Sequence, residues 1–267
     1  GQEITVATYN MRYNIPEQFK KDSIKGIDWP QRFPVMTAMI QFHDFDIFGT
    51  QECLYYQLQD VQKLLPQYTY QGVGRDDGKQ GGEHNAIFYK VDRFKLLKTG
   101  NFWLSETPDH PSMGWNATCC YRMCTWVYLE DLFSGRKLYV FNTHFDYQKN
   151  FVRNESSKLI LKKIKEIAGR NTVILMGDLN GDRNSEWYKR IANFETLRDT
   201  YNYVEIPYQV NGSFNGFGSR NNSDRVIDHV FVSAHLTPLK WGILTDTYYG
   251  KYPSDHFPIM VILKFEE

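Results

Sequence analysis

The sequence lacks several features that would assign it to a common functional class. No apolar run approaches the ~18 residues that a membrane-spanning helix needs, and no internal repeat or Pro-, Gly- or Ser-rich linker divides the 267 residues. There is also no excess charge, because 31 Lys and Arg residues balance 31 Asp and Glu residues. Proteins that grip long duplexes draw much of their affinity from basic residues that neutralise phosphates. We therefore expect one domain over residues 1–267, a monomer without a membrane span, and no extended duplex-binding surface.

Cysteine is scarce and carries no metal-site spacing. The four cysteines are Cys53, Cys119, Cys120 and Cys124. No second cluster completes a zinc site, so we expect buried thiols or one local disulfide. The absence of a Gly-x-Ser-x-Gly motif disfavours a serine hydrolase. The chain starts at Gly1 without an initiator methionine, which is compatible with removal of an export signal and a periplasmic or secreted location.

Strand-like and helix-like segments alternate along the chain. Alternating and β-branched residues predict strands, and apolar residues at helical spacing predict helices. The predicted strands cover about 4–10, 46–49, 68–73, 84–90, 94–104, 124–132, 137–142, 172–176, 226–233, 238–244 and 257–265. The predicted helices cover about 29–43, 54–65, 152–168 and 185–193. Many strands with helices between them indicate two packed sheets with helices outside.

Polar residues recur directly after these apolar strands. Asp178 and Asn180 are two apart after a buried strand and a glycine, so their side chains point the same way; an Asx turn explains them equally well. Glu52 ends another strand, where it suits an oxygen-ligand metal or, more commonly, a helix N-terminus. His144 follows a third strand, where it could contact a phosphate oxygen or serve only in packing.

Two Asp-His pairs lie near the C-terminus. Asp228 falls within an apolar strand, and a buried carboxylate is costly unless it is paired. His256, which follows Asp255 just before the last strand, is the natural partner. An imidazole held by a carboxylate has a fixed tautomer and a raised pKa, which suits acid-base chemistry. We expect Asp228 to be the carboxylate that holds His256.

Taken together, these segments resemble the endonuclease/exonuclease/phosphatase superfamily of metal-dependent phosphoesterases. Further segments resemble a bacterial branch of it without an assigned substrate. The superfamily motifs are Ala7–Asn10, Thr50–Glu52, Asn142–His144, Gly177–Asn180, Ile227–His229 and Ser254–His256. The segments typical of the branch are Gly74–Gly78, Gly82–Tyr89 and Phe102–Pro108. The resemblance implies a four-layered α/β sandwich, in which two mixed β-sheets pack together between helices.

The resemblance also implies a role for each motif residue. Glu52 would be the principal ligand of Mg²⁺ (or Mn²⁺), with Asn10 beside it and Asp255 completing the metal environment. Asp178 and His256 would activate water, and which of them takes the proton is left open, as is the number of metals.

The remaining motif residues would act on the phosphate and on the histidine. Asn180 and His144 would bind the scissile phosphate, and Asp228 would orient His256. Many superfamily members carry an acid two positions after the first Asn, where this chain has Arg12. Arg12 therefore weakens the case for a second metal ligand there and suggests a phosphate-binding cation. Additional substrate-binding candidates, for which packing is an equal explanation, are Glu83, His84, Trp115 and Arg122.

The sequence thus predicts a divalent-metal-dependent phosphodiesterase or phosphatase that acts on a small or single-stranded substrate. The alternative is a nuclease, endo- or exonucleolytic and deadenylase-like, on DNA or RNA. A sphingomyelinase-like lipid phosphodiesterase and an inactive binding module on the same fold are weaker hypotheses, the latter because all the catalytic residue types are present.

Overall fold

The computed structural model describes residues 3–14, 16–220 and 223–267. Within these ranges the chain forms twelve strands, five α-helices and three short 3₁₀ helices. The strands are β1 (Glu3–Asn10), β2 (Ile47–Gln51), β3 (Tyr68–Gln71), β4 (Ile87–Lys90), β5 (Phe94–Trp103), β6 (Met123–Asp131), β7 (Lys137–His144), β8 (Val173–Asp178), β9 (Arg198–Asp199), β10 (Asp228–Val232), β11 (Leu236–Ile243) and β12 (Ile259–Phe265). The α-helices are α1 (Phe19–Lys25), α2 (Trp29–His43), α3 (Tyr55–Leu64), α4 (Asn150–Ala168) and α5 (Glu186–Ala192). The 3₁₀ helices are Pro16–Gln18, Thr200–Tyr203 and Gly216–Gly218.

The strands form two six-stranded mixed sheets. The first sheet has the order β11-β12-β1-β2-β4-β3, and the second has the order β5-β6-β7-β8-β10-β9. β1 and β2 run parallel in the first sheet, as do β7 and β8 in the second, and the other neighbours pair antiparallel. This arrangement agrees with the mixed sheets that the sequence predicts.

Apolar side chains from the facing sides of the sheets pack between them. Val6 and Val261 of the first sheet and Ile174 and Met176 of the second belong to this central core. Each such fully buried aliphatic side chain contributes about 1.5–3 kcal/mol relative to exposure. The sheets are therefore held together by a continuous apolar layer.

Helices cover the outer faces of both sheets. Ile40 of α2 and Val61 of α3 pack on the first sheet. Ile164 of α4 and Ile191 of α5 pack on the second. The helix–sheet–sheet–helix order confirms the four-layered α/β sandwich.

The predicted elements match the observed ones closely, with two omissions. Helix α2 has the predicted bounds, and α4 begins two residues before its predicted start. The sequence did not predict α1 or β9. Helix α1 buries none of its residues, so it lacks an apolar face, and it ends at Gly26, whose φ of 72° suits glycine. Strand β9 has only two residues, too few for a periodic pattern.

The sheet topology brings eight strand termini to one end of the sandwich, which we call the site end. The C-terminal ends of β1 and β2 lie there beside the starts of their antiparallel neighbours β12 and β4. In the second sheet the ends of β7 and β8 lie beside the starts of β6 and β10. Polar residues at these termini therefore face one shared space between the two sheets.

Two predictions about special sequence features can be compared with the structure. Among the described residues, no helix is both long and apolar enough to cross a membrane. Cys53 and Cys124 are buried free thiols, and Cys119 and Cys120 are disulfide-bonded to each other. The sequence left open buried thiols or one local disulfide, and the structure contains both.

Candidate active site

At the centre of the site end, His256 lies between two buried carboxylates. Its Nδ1 is 2.9 Å from Asp228 Oδ2, and its Nε2 is 3.6 Å from Asp178 Oδ2. Asp228 and Asp178 are paired neighbours on β10 and β8, so the second sheet fixes their spacing. The Phe214 ring packs edge-on against the imidazole, 5.1 Å between centroids. The contact of His256 with Asp228 is the one that the sequence led us to expect, and it fixes which nitrogen faces the cavity.

Asn10 links the two sheets at this point. Its Nδ2 donates to Glu52 Oε2 at 2.7 Å and to Asp178 Oδ2 at 3.0 Å. Its Oδ1 accepts the backbone N–H of Arg12 at 3.0 Å. The side-chain amide is thus committed to hydrogen bonds, and its present role is to orient the two carboxylates.

His144 and Asn180 complete the part of the site contributed by the second sheet. His144 Nε2 is 3.3 Å from Asp178 Oδ2. The Asn180 backbone N–H donates to Asp178 Oδ1 at 3.0 Å, and its side-chain Nδ2 donates to the Phe145 carbonyl at 2.8 Å. Those bonds hold the Asn180 amide in place where it lines the cavity.

Three of the site residues have left-handed backbone conformations. The φ angles are 62° for Arg12, 70° for Glu52 and 45° for Asn180. Such conformations cost non-glycine residues of order 1–3 kcal/mol and persist where the surroundings enforce them. Gly177, just before Asp178, allows the close approach of β7, because a Cβ there would lie 2.0 Å from the Thr143 carbonyl oxygen. The chain therefore accepts local strain to aim these side chains into the cavity.

Burial and neighbouring charges shift the pKa values within the site. Burial opposes ionisation of Asp178, but His144 and His256 beside it hold its pKa well below the usual value. Burial likewise opposes charging of His256, yet Asp228 and Asp178 outweigh it and raise its pKa well above the ordinary range. The pKa of Asp228 rises to about 6, because burial outweighs the attraction of His256. Near neutral pH the site thus contains an ionised Asp178 facing a protonated His256.

The other two site carboxylates are shifted in opposite directions. Burial raises the pKa of Glu52, but His144 and His256 outweigh it, and the net shift is downward. Burial, together with the nearby Glu52, raises the pKa of Asp255. Glu52 is therefore the carboxylate better suited to carry a negative charge towards a cation.

The donor set at the site fits a divalent metal. Among the described residues, one ligand atom from each of Glu52, Asp178 and His256 lies within 4.8 Å of the others. Asp255 lines the same cavity, and its Oδ1 is buried without a hydrogen-bond partner. This oxygen could therefore bind a cation. Carboxylate oxygens are the ligands that Mg²⁺ prefers.

This cluster differs from the ligand set expected from the sequence. Glu52 belongs to both, while Asp255 pairs with Arg12, whose Nη1 is 3.5 Å from Asp255 Oδ2. Asn10 is engaged in orienting Glu52, as described above. The roles of Asn10 and Asp255 at the metal stay predictions.

A cavity of about 580 Å³ opens over these groups and extends beyond them. Glu83 and Arg122, two of the predicted substrate-binding residues, line it together with Arg12. Arg75, Tyr13, Tyr147 and Phe214 also line it and were not selected from the sequence. Arg75 lies in Gly74–Gly78, one of the segments typical of the bacterial branch, and this segment is the sequence feature from which its role could have been predicted.

His84 and Trp115, the other two predicted substrate-binding residues, lie outside this cavity. His84 is 1% exposed, and its Nδ1 contacts the carbonyl of Gly82 at 3.0 Å. Adjacent residues in extended chain point to opposite sides, so His84 turns inward where Glu83 turns to the cavity. Trp115 packs at the edge of the apolar cluster outside the second sheet. The structure brings neither side chain to the site, and both act in packing.

A second cavity, of about 670 Å³, lies away from the site end. Gly169 after α4, Val173 at the start of β8 and His235 line it. Among the described residues, the cluster that could hold a metal ion consists of Glu52, Asp178 and His256, and none of these three lines this second cavity. The smaller cavity, which contains the acidic and imidazole groups, is the candidate active site.

This chain is similar to known proteins both in sequence and in fold. A profile described as the Endonuclease/Exonuclease/phosphatase family matches residues 7–256. An endonuclease/exonuclease/phosphatase family protein from Bacteroides thetaiotaomicron has 44% identity and a TM-score of 0.94, covering 99% of this chain and 98% of its own. The mannosyl-6-phosphatase Bt3783 from Bacteroides thetaiotaomicron VPI-5482 has 43% identity and a TM-score of 0.93, covering 98% of this chain and 100% of its own.

A more distant relative carries a nuclease name. The CCR4-Not complex 3'-5'-exoribonuclease subunit Ccr4 of Saccharomyces cerevisiae is 21% identical over 335 residues. The match covers 98% of this chain but only 38% of Ccr4, so the chain spans well under half of that protein's length.

Proposed function

The chain belongs to the Endonuclease/Exonuclease/phosphatase family, and we propose that it is a divalent-metal-dependent phosphomonoesterase acting on a phosphorylated sugar. The observation that carries the phosphoester chemistry is the placement of His256 between Asp228 and Asp178, opposite Glu52. These groups supply an oriented acid, an ionised base and a carboxylate-rich cation site within one cavity. This combination is what hydrolysis of a phosphoester by water requires.

In the proposed reaction, Asp178 and His256 have separate tasks. The ionised Asp178 accepts a hydrogen bond from the attacking water and draws off its proton as the water oxygen bonds to phosphorus. Protonated His256, held at Nδ1 by Asp228, donates from Nε2 to a phosphoryl oxygen and stabilises the charge that develops there. As the bond from phosphorus to the sugar oxygen breaks, that oxygen takes a proton from solvent water, Asp178 returns its own proton to solvent, and inorganic phosphate and the free sugar leave.

Three further residues support these two. Asn10 keeps Glu52 and Asp178 in register across the two sheets. His144 and Asn180, both at the cavity wall, offer donors to the remaining phosphoryl oxygens. Positioned charge and hydrogen-bond donors of this kind typically account for the largest share of such a rate enhancement.

We propose Mg²⁺ or Mn²⁺ as the cofactor, with Glu52 as its principal ligand and Asp255 as a second oxygen donor. When bound, a divalent ion neutralises phosphoryl charge and lowers the barrier to attack by water. The depressed pKa of Glu52, the unpartnered Asp255 oxygen and the family membership support this assignment.

The proposal of a sugar monoester rests on the cavity and on the relatives. A volume of about 580 Å³ lies within the range of small-molecule pockets. The 43% identity to a mannosyl-6-phosphatase over nearly the whole of both chains favours a phosphorylated sugar over other small phosphoesters. A nuclease is the second candidate, favoured by the match to the exoribonuclease subunit Ccr4.

A substrate panel separates these candidates. Protein stripped of metal with a chelator is supplied with Mg²⁺ or Mn²⁺ and offered mannose 6-phosphate, bis-p-nitrophenyl phosphate and single-stranded RNA. We expect metal-dependent phosphate release from the sugar monoester, with kcat/KM changing less than about threefold between low and moderate salt. A nuclease would instead cleave RNA and lose affinity steeply with salt, because many phosphate contacts release many counterions. Cleavage of RNA without hydrolysis of any monoester would refute the proposal.

A further inference from the structure

Three charged side chains lie in the same cavity but away from His256. Glu83 lies before β4. β4 is the neighbour of β2 in the first sheet, and Glu52 directly follows β2. Arg122 precedes β6, the neighbour of β7, whose last residue is His144. Each therefore lies one strand further along its sheet than the catalytic groups. We call Arg75, Glu83 and Arg122 the lateral cluster.

Arg122 is a buried cation whose hydrogen bonds are largely unmade. It is 5% exposed, and among the described residues no carboxylate lies within 4.0 Å of it. Its Nε and Nη1 have no hydrogen-bond partner, and its Nη2 contacts only Cys120 Sγ, at 3.9 Å. An uncompensated buried charge is costly in free energy. Arg122 lines the cavity, so a small rotation of its guanidinium would bring these buried donors to a molecule that enters it.

Arg75 and Glu83 add a donor and an acceptor beside Arg122. Arg75 Nη2 donates to Glu83 Oε2 at 2.7 Å, while Arg75 Nε is buried without a partner. The backbone N–H of Arg75 donates to the Glu83 carbonyl at 3.0 Å, and Trp103 Nε1 donates to the Arg75 carbonyl at 2.8 Å. The loop that carries both residues is thus fixed on both sides before any ligand binds.

The mixture of donors and acceptor indicates the chemistry of that ligand. A second phosphate or a carboxylate would meet the Glu83 carboxylate, which repels it. An apolar group would leave the Arg122 donors unsatisfied at high cost. Hydroxyl groups both donate and accept, so they can give a hydrogen to Glu83 and take hydrogens from the two guanidinium groups.

We propose that the lateral cluster is the subsite for the ring hydroxyls of the sugar whose phosphate is hydrolysed. Glu83 accepts from one hydroxyl and Arg122 donates to a neighbouring oxygen, while the phosphate lies at His256. This inference rests on the proposed function, and it makes Glu83 and Arg122 determinants of specificity rather than of the bond-breaking step.

The test compares two monoesters that differ in their hydroxyls. kcat/KM is measured for mannose 6-phosphate and for phenyl phosphate with the metal-loaded enzyme, and the ratio of the two is the selectivity. Glu83→Gln and Arg122→Lys are expected to lower the selectivity at least tenfold, mainly through KM for the sugar phosphate. Matched controls are Glu166→Gln and Arg170→Lys, which change the same residue types far from the site.

Each outcome decides one question. A fall in selectivity in either lateral variant, with the controls at the wild-type ratio, supports the subsite. Equal losses on both monoesters, or unchanged kinetics, overturn it even if the wild-type protein hydrolyses both. If Arg122→Lys fails to fold, the half-buried Glu83→Gln decides alone. A wild-type protein that releases phosphate from neither monoester refutes the proposed function instead.

Discussion

Replacing Asp228 by asparagine isolates the contribution of the carboxylate that holds His256. The change keeps the size of the side chain but removes the negative charge 2.9 Å from His256 Nδ1. An amide can also donate to Nδ1 and so favour the unproductive tautomer. Loss of one preorganised donor to a charge that develops in the transition state costs roughly 10²–10³ in kcat, or about 3–4 kcal/mol. We expect kcat for mannose 6-phosphate to fall by that factor, with KM changing little.

The stability of the Asp228→Asn variant is expected to move differently from its activity. Because the folded-state pKa of Asp228 is raised to about 6, its ionised form is less favourable in the folded than in the unfolded chain. That cost is absent below the unfolded pKa, near 3.9, and is complete above about pH 6. The amide removes this cost at pH 8 and loses part of one hydrogen bond. The melting temperature should therefore stay within about 4 °C of wild type, which corresponds to about 1 kcal/mol.

The assay and its control make this reasoning refutable. Phosphate release is followed at saturating metal, and melting is followed by calorimetry at pH 8. Asp182→Asn is the control, because Asp182 pairs with exposed Arg225 rather than with a histidine. A kcat within threefold of wild type for Asp228→Asn would show that the carboxylate does not govern His256. A melting temperature lowered by 10 °C would show that it is a structural residue.

Three further predictions concern other charged groups. Glu52→Gln should raise the Mg²⁺ concentration for half-maximal activity at least about tenfold, measured by adding metal to chelated protein, since one ligand charge is lost. Arg12→Ala should lower kcat/KM about tenfold while lowering that metal concentration, because its guanidinium, 3.5 Å from Asp255, no longer competes with the cation. Asp131→Asn should destabilise the fold by about 1–3 kcal/mol at pH 7, seen as a lower melting temperature, because it weakens the charge-assisted hydrogen bonds to Arg93, which keeps Asp46 as a second partner at 3.3 Å. Arg93 and Ser134 lower the pKa of Asp131 against its burial, so this contribution is present above the unfolded pKa near 4 and is lost as the pH falls through the lower folded value. The difference in melting temperature between Asp131→Asn and the wild-type protein should therefore be smaller at pH 3 than at pH 7.

Strand boundaries and the groups at their ends were predictable because both depend on local pattern. A strand buried on both faces reads as an apolar run, and a polar residue that interrupts such a run is conspicuous. Asp178, His144 and Glu52 are visible in this way. Pairing Asp228 with His256 needed only the cost of burying an isolated carboxylate, and the structure has that contact at 2.9 Å.

The cavity walls were less predictable because loop closure decides them. Arg75 reaches the cavity only because its loop folds back so that its N–H meets the Glu83 carbonyl. Tyr147 and Phe214 also come from connecting segments, where no periodicity indicates direction. His84 was selected from a segment typical of the bacterial branch and Trp115 by residue type, and packing turned both away from the cavity. Residue type indicates possible chemistry, but direction follows from backbone geometry that loops do not encode locally.

The distribution of charge along the cavity connects the two subsites. The catalytic end gathers four carboxylates, and its cations are Arg12 and the imidazolium of His256. These carboxylates are Glu52, Asp178, Asp228 and Asp255. The lateral end has two guanidinium groups against one carboxylate, a net positive charge. At the lateral end Glu83 already engages Arg75, whereas the catalytic end has a net negative charge on its protein groups that opposes the binding of a phosphate dianion. On the proposed function, a divalent cation at Glu52 would offset two of the negative charges at the catalytic end and hold the phosphate there, so the metal would help to set the orientation of the substrate as well as the chemistry at phosphorus.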